Sequence, residues 1–256
     1  MCIICTNEYY PEMTKLWCFY CPNITSIPDT LVNLTFLCCA ECPNLTSIPS
    51  SLVNLTKLDC SDCPKLTSIP SSLVNLTKLV CWKCPNLTSI PDTLINLTRL
   101  DCSGLGSVSI NFSKLTHLDC SHSPNLTSIP DTLINLTRLD CSECSKLRFI
   151  PDTLVNLKQL SCWGCRKLTS IPDTFVELTE LDCAGCPQLT FIPDFYYEKL
   201  EEFYFSHCYW WNSKHNASYE MNVKQFKEDY ESLLLTNLIS PFLTRNIVKF
   251  LIPIEI

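Results

Sequence analysis

Residues 55–75 read LTKLDCSDCPKLTSIPSSLVN, and the order of polar and apolar residues in that stretch decides the fold. Lys57-Leu58-Asp59-Cys60-Ser61 alternates polar with apolar, the period of a strand that buries one face. Pro70 cannot donate to a continuing ladder, and Ser71-Ser72-Leu73-Val74-Asn75 is long enough for about one helical turn. In sister stretches Asp29, Asp92, Asp131 and Asp152 follow the proline. Proline and an acid both suit a first helical turn, where amide hydrogens lack partners.

The same unit recurs along most of the chain. The cysteines that close each strand are Cys18, Cys39, Cys60, Cys81, Cys102, Cys120, Cys141, Cys162 and Cys183. Each step is 21 residues except Cys102 to Cys120, which is 18. A tenth unit follows, with Phe205 in the cysteine's place and Cys208 three residues on. One unit directs Leu45, Ile48, Leu52, Leu55, Leu58, Cys60 and Cys63 inward and cannot enclose them alone. Neighbours must stack, each adding a strand to a parallel sheet at about 4.8 Å spacing. A solenoid is the expected architecture.

Residues 55–66 fit the pattern L-x-x-L-x-L-x-x-(N/C)-x-x-L, and at this point the chain resembles the leucine-rich-repeat family, over residues 16–208. That resemblance implies a leucine-rich-repeat solenoid with a curved parallel sheet on the concave face. Short helical or 3-10 turns and loops would form the convex face. The Ser47-Ile48-Pro49 form also resembles the short repeats of bacterial effectors and plant immune receptors. The cysteine-rich, Asn-rich style is similar to leucine-rich-repeat proteins of giant amoebal viruses, the mimivirus-like ones.

The ends depart from the period. Residues 1–15 read as an N-terminal cap or truncated unit, with Tyr10, Met13 and Leu16 in leucine positions. Residues 209–256 read as a helical C-terminal cap: Val223, Phe226, Tyr230, Leu233 and Leu234 have helical spacing, and Pro241 ends it. A partner-docking helix is the alternative for the same segment. In the 18-residue unit Gly104 and Gly106 loosen the backbone. Either a local change of curvature over residues 103–114 or a tolerated loop deletion on the convex side follows.

Composition narrows the chemistry. A net charge of −7 argues against general affinity for nucleic acid or anionic lipid, both of which need basic patches. No run of about 18 apolar residues reads as a membrane span. MCIICTNEYY lacks a basic start and a signal-peptide core, so a cytoplasmic address is expected, in the chain's own cell or a host's. There the 20 cysteines stay mostly free thiols, and the N-L-T triplets at Asn33, Asn54 and Asn75 are a by-product of the repeat.

Cys39-x2-Cys42-x17-Cys60-x2-Cys63 has the spacing of a four-cysteine zinc site. The spacing repeats, however, so Cys60 and Cys63 would be claimed from both sides. Leu105 and Ser123 also replace the second cysteine, and a ligand is not interchangeable with leucine. Cys39, Cys42, Cys60, Cys63, Cys81, Cys84, Cys141, Cys144, Cys162, Cys165, Cys183 and Cys186 therefore read as a structural ladder, with no metal and no cofactor. Cys38, pointing away from the core, is the candidate reactive thiol.

His117, His122, His207 and His215 belong to no catalytic motif, and there is no Gly-rich phosphate loop, His-Glu-x-x-His or nucleophile elbow. No enzymatic function is expected. Information for binding should lie on the open strand positions. A first column runs Lys57, Lys78, Arg99, His117, Arg138, Gln159, Glu180. A second runs Asp59, Val80, Asp101, Asp119, Asp140, Ser161, Asp182. Opposite charges side by side should neutralise each other. Trp17, Phe19 and Phe36 cluster near Cys38, while Trp82 and Trp163 interrupt a third column of small residues. These aromatics serve either as binding anchors or as ladder packing. With Asp101, Asp119 and Asp140 they form the candidate site for an unidentified protein partner, on a chain expected to act as a monomer. An adaptor or effector role toward ubiquitin or signalling machinery is an alternative, as is a cysteine-based metal or redox protein.

Overall fold

The computed structural model describes residues 3–6, 8–105, 112–190, 192–193 and 196–204. Each unit contributes one three-residue strand: β1 Lys15–Trp17, β2 Phe36–Cys38, β3 Lys57–Asp59, β4 Lys78–Val80, β5 Arg99–Asp101, β6 His117–Asp119, β7 Arg138–Asp140, β8 Gln159–Ser161 and β9 Glu180–Asp182. A short helix, α1 Tyr196–Lys199, precedes β10 Glu202–Tyr204. The strands form one parallel sheet in sequence order, as stacking of successive units requires. The C-terminal segment 209–256, whether cap or docking helix, lies outside the described residues, as do Phe205, His207, Cys208 and His215.

The middle residue of each strand from β1 to β9 is the sealed one, and in β10 Phe203 is part-buried. Leu37, Leu58, Leu79, Leu118 and Leu139 are at most 1% exposed, while their neighbours on the strand are open or half-open. The inward set expected for the unit around Leu45 to Cys63 is buried throughout. At the N-terminus the leucine-position reading fails for Tyr10, which is exposed. Tyr9 and Met13 pack part-buried against the core instead.

On the convex side it is the 3-10 form of the expected short turns that occurs, rather than a full helical turn. After the Ile-Pro proline of most units the chain makes two successive i to i+3 turns, as where Leu52 N–H donates to the Pro49 carbonyl at 3.4 Å and Leu55 N–H to Leu52 at 3.1 Å. The bonds are of 3-10 type, but the next leucine must turn inward, so no helix propagates.

Polar side chains satisfy the carbonyls that the three-residue strands leave over. In most N-L-T triplets the Asn donates from Nδ2 to a carbonyl 22 residues back, as Asn54 does to Val32, Asn75 to Val53 and Asn96 to Val74, at 2.9 to 3.0 Å. The Thr hydroxyl donates to the preceding unit's equivalent carbonyl, as Thr56 does to Thr35 at 3.0 Å. Backbone amides of Thr56 and Lys57 share that acceptor. The triplet is thus a stacking device, which its reading as a by-product of the repeat left unexplained.

One backbone position carries positive φ in unit after unit. Glu41, Asp62, Lys83, His122 and Glu143 lie between 50° and 58°, with Gly104 at 77°, Gly164 at 69° and Gly185 at 68°. The left-handed residue turns the chain off the sheet while its N–H still donates across, as Lys83 does to the Ser103 carbonyl at 3.0 Å. Gly104 therefore fills a place common to the whole array and is no irregularity of the short unit. Across that unit β5 and β6 keep register, with Arg99 opposite His117 and Asp101 opposite Asp119. Residues 106–111, where a curvature change would arise, are outside the described set.

Candidate partner-binding face

The concave face is built from the first and third residue of every strand, because alternate side chains leave a strand on the same side. Registry aligns them into the expected rows. Lys57, Lys78, Arg99, His117 and Arg138 are direct neighbours in sequence of strands, and so are Asp59, Val80, Asp101, Asp119 and Asp140. At about 4.8 Å per step the five side chains of the first row span roughly 19 Å.

The two rows do not neutralise each other as expected. Among the described residues no salt bridge joins them; the acids turn along their own chain instead. Asp59 Oδ1 accepts Ser61 N–H at 3.1 Å, and Asp119 and Asp140 accept the N–H of Ser121 and Ser142, each at 3.0 Å. Asp182 does the same with Ala184 at 3.1 Å. A short acid two residues before a turn bonds locally more readily than a long flexible cation holds a surface pair. The cation row is left facing outward.

Electrostatics record the crowding. Burial, then the neighbouring Asp119, raises Asp101 above the ordinary carboxylate range, against the hydrogen bonds from Ser103. Burial also raises Asp182. His117 goes the other way: partial burial and the flanking Arg99 and Arg138 lower it. A depression of about 310 Å³ opens over these residues, lined by Lys78, Val80, Arg99, Asp101, His117 and Arg138 among others.

The aromatics fall into separate places. Trp17 and Phe36 pack at 5.0 Å between ring centroids, tilted by 40°, and Trp17 stands in register beside Cys38. Phe19 meets Tyr20 edge-on at 5.7 Å. Trp17, Phe19 and Trp163 are 53%, 54% and 44% exposed. Trp82 is half-buried with the Lys83 ammonium 5.0 Å over its ring, next to the Val80 that breaks the acid row. The depression thus brings Asp101, Asp119 and Asp140 together, and Trp82 follows the end of β4 outside its lining. Trp17, Phe19 and Phe36 lie at the N-terminal end of the face, and Trp163 lies beyond the depression.

The cysteines form two columns with different chemistry. Strand cysteines such as Cys39, Cys60 and Cys141 are wholly buried. The second column does more than fill space: Cys63, Cys84, Cys144 and Cys165 donate Sγ–H to the carbonyls of Cys39, Cys60, Cys120 and Cys141 at 3.1 to 3.2 Å. Each thiol substitutes for the backbone donor that the turn removed. Ser123 keeps a donor, bonding the Ser121 carbonyl at 3.4 Å. Burial pushes Cys39 and Cys81 far up and Cys63 to about 12. Among the described residues no three His, Cys, Asp or Glu side chains gather as a metal site. Cys38 is half-buried and burial raises its thiol too, which disfavours the reactive thiolate expected there. Among the described residues the exposed cysteine is Cys5, missed because MCIIC lies outside the period.

A family model for the leucine-rich repeat matches residues 54–76. The leucine-rich-repeat domain of the type III effector XopL aligns with 80% of this chain and 80% of its own, at 22% identity and a TM-score of 0.65. The fold is a leucine-rich-repeat solenoid. The functional domain of InlJ from Listeria monocytogenes, which includes a cysteine ladder, aligns at 21% identity and a TM-score of 0.41, over 77% of this chain and 64% of that one. A leucine-rich-repeat protein of Leptospira interrogans aligns at 21% identity and 0.41, over 72% and 64%. At such identities the likeness speaks for the fold alone. No curated protein matches the chain.

Proposed function

We propose that this leucine-rich-repeat solenoid is a non-enzymatic protein-binding scaffold that takes its partner on the concave face over β4 to β7. The observation that carries the reading is the row Lys78, Arg99, His117 and Arg138, which lines a depression and is joined by no salt bridge to the acids beside it. Lys78, Arg99 and Arg138, in one row with His117 between the two arginines, attract an extended acidic segment and set its direction. Val80 and Trp82 supply the apolar anchor such a segment needs for affinity, because surface charges alone contribute little. The acid row, satisfied by its own amides, limits how many carboxylates the partner can bring and so sharpens selection.

Panning a random peptide library against the full chain tests this. Enriched peptides should carry acids together with an aromatic or branched apolar residue. They should lose about tenfold or more in affinity toward Arg99→Glu and toward Trp82→Ser, a loss of about 1.4 kcal/mol or more. Enriched peptides that bind both variants as tightly as the original chain would sink the assignment of the face.

A further inference from the structure

Six cysteines of the second column are bound alike. Cys42, Cys63, Cys84, Cys144, Cys165 and Cys186 each donate to a carbonyl 24 residues back. Cys21 holds the same place one unit nearer the N-terminus. Where the other six meet a carbonyl of the preceding unit, Cys21 meets a sulfur: Cys5 Sγ lies 3.2 Å from Cys21 Sγ. Cys5 is exposed and Cys21 buried. Cys5 also comes from outside the array, so its side chain is free of the parallel stacking that disfavours disulfide torsion between neighbouring units. The segment it belongs to rests on the end of the core through part-buried Ile3 and Ile4.

We propose that Cys5 and Cys21 are a disulfide-forming pair that staples the N-terminal segment across the β1 end of the solenoid, with Cys5 as the entry thiol. The oxidant is a small-molecule disulfide of the glutathione class. Cys5 thiolate attacks one sulfur of glutathione disulfide, forming a mixed disulfide and releasing one glutathione thiolate, which takes up the proton Cys5 gave. Cys21 then attacks the Cys5 sulfur of that adduct; the new S–S bond forms as the second glutathione leaves with the proton from Cys21. Two protein thiols are oxidised and one glutathione disulfide is reduced to two thiols. The ladder cysteines stay out of this exchange because they are sealed in the core, where burial holds thiols such as Cys39 and Cys81 protonated.

Incubating the folded full chain with glutathione disulfide, alkylating under denaturing conditions and mapping by tandem mass spectrometry tests the pairing. The expected product is lighter by two hydrogens and carries a Cys5–Cys21 link. Cys5→Ser should yield neither link nor adduct, and Cys21→Ser should trap the glutathione adduct on Cys5. Ser123 shows that serine is accommodated in this column, and circular dichroism of each variant checks the fold. A stable glutathione adduct on Cys5 of the unaltered chain would overturn the pairing. So would a link from Cys5 or Cys2 to another cysteine, or no reaction at all.

Discussion

On the sealed side of the sheet Leu58, Leu79, Leu100, Leu118, Leu139 and Leu160 repeat without exception. One residue further along the same strands the open side runs Asp59, Val80, Asp101, Asp119, Asp140 and Ser161. Each sealed leucine must fit the copy above and the copy below, so one shape propagates through the stack. An open residue has to satisfy only its own polar atoms and whatever approaches from solvent. The acids do so locally through the acid-to-amide bond and Ser161 through the Ser142 hydroxyl of the neighbouring unit, whereas the side chain of Val80 has no polar atom to satisfy. The contrast teaches where sequence variation carries information in a stacked array.

The sharpest way to break that contrast is to cut a sealed residue. Leu139→Ala should cost about 2–5 kcal/mol in denaturant unfolding, the price of a cavity in a close-packed stack. A loss below about 1 kcal/mol would mean the units relax around the void and the sealed side is less strict than it looks.

A middle-sized effect separates filling from bonding in the cysteine ladder. Cys144→Ala removes both the sulfur's volume and its bond to the Cys120 carbonyl, so about 1–3 kcal/mol should be lost. Cys144→Ser keeps a donor and should lose less. Equal losses, read from chemical unfolding midpoints, would show that the thiol acts by packing alone.

The smallest effect lies on the open side and depends on pH. Burial and then Asp119 raise Asp101 above its unfolded value, so this group's stabilising contribution is complete below the unfolded pKa and is lost as pH rises through the folded one. Asp101→Asn, which keeps the acceptor for Ser103, should therefore be slightly more stable than the original chain near pH ~7, by less than about 1 kcal/mol after solvent screening. Thermal melts of the pair should converge by about pH 3, below the unfolded aspartate range. A gap that widens toward acid would reverse the assignment.

Much of the fold was legible before any coordinate. The 21-residue period, the two-residue alternation at Lys57 to Ser61 and the proline after each isoleucine suffice for strand, turn and stack. The rows of the concave face were legible too, because register follows from equal spacing. For the convex turn the sequence left two forms open, a helical turn or 3-10 turns, and only the inward pull on each leucine selects the second. Nor could the fate of Asp59, Asp119 and Asp140 be read, because a cation beside an acid looks like a pair until the competing amide two residues on is placed in space.

By itself the sequence determined what repeats: which side chains are sealed, which are open, and that neighbouring units must stack to enclose a core. Apolar burial depends only on pattern and period, which the chain carries in one dimension. The tertiary structure decided where polar atoms find partners. Asn75 reaches a carbonyl 22 residues away, Cys144 reaches one 24 residues away, and Cys5 reaches Cys21 across 16. Hydrogen bonds depend on distance and direction within a few tenths of an ångström, and that information exists only once the units are stacked.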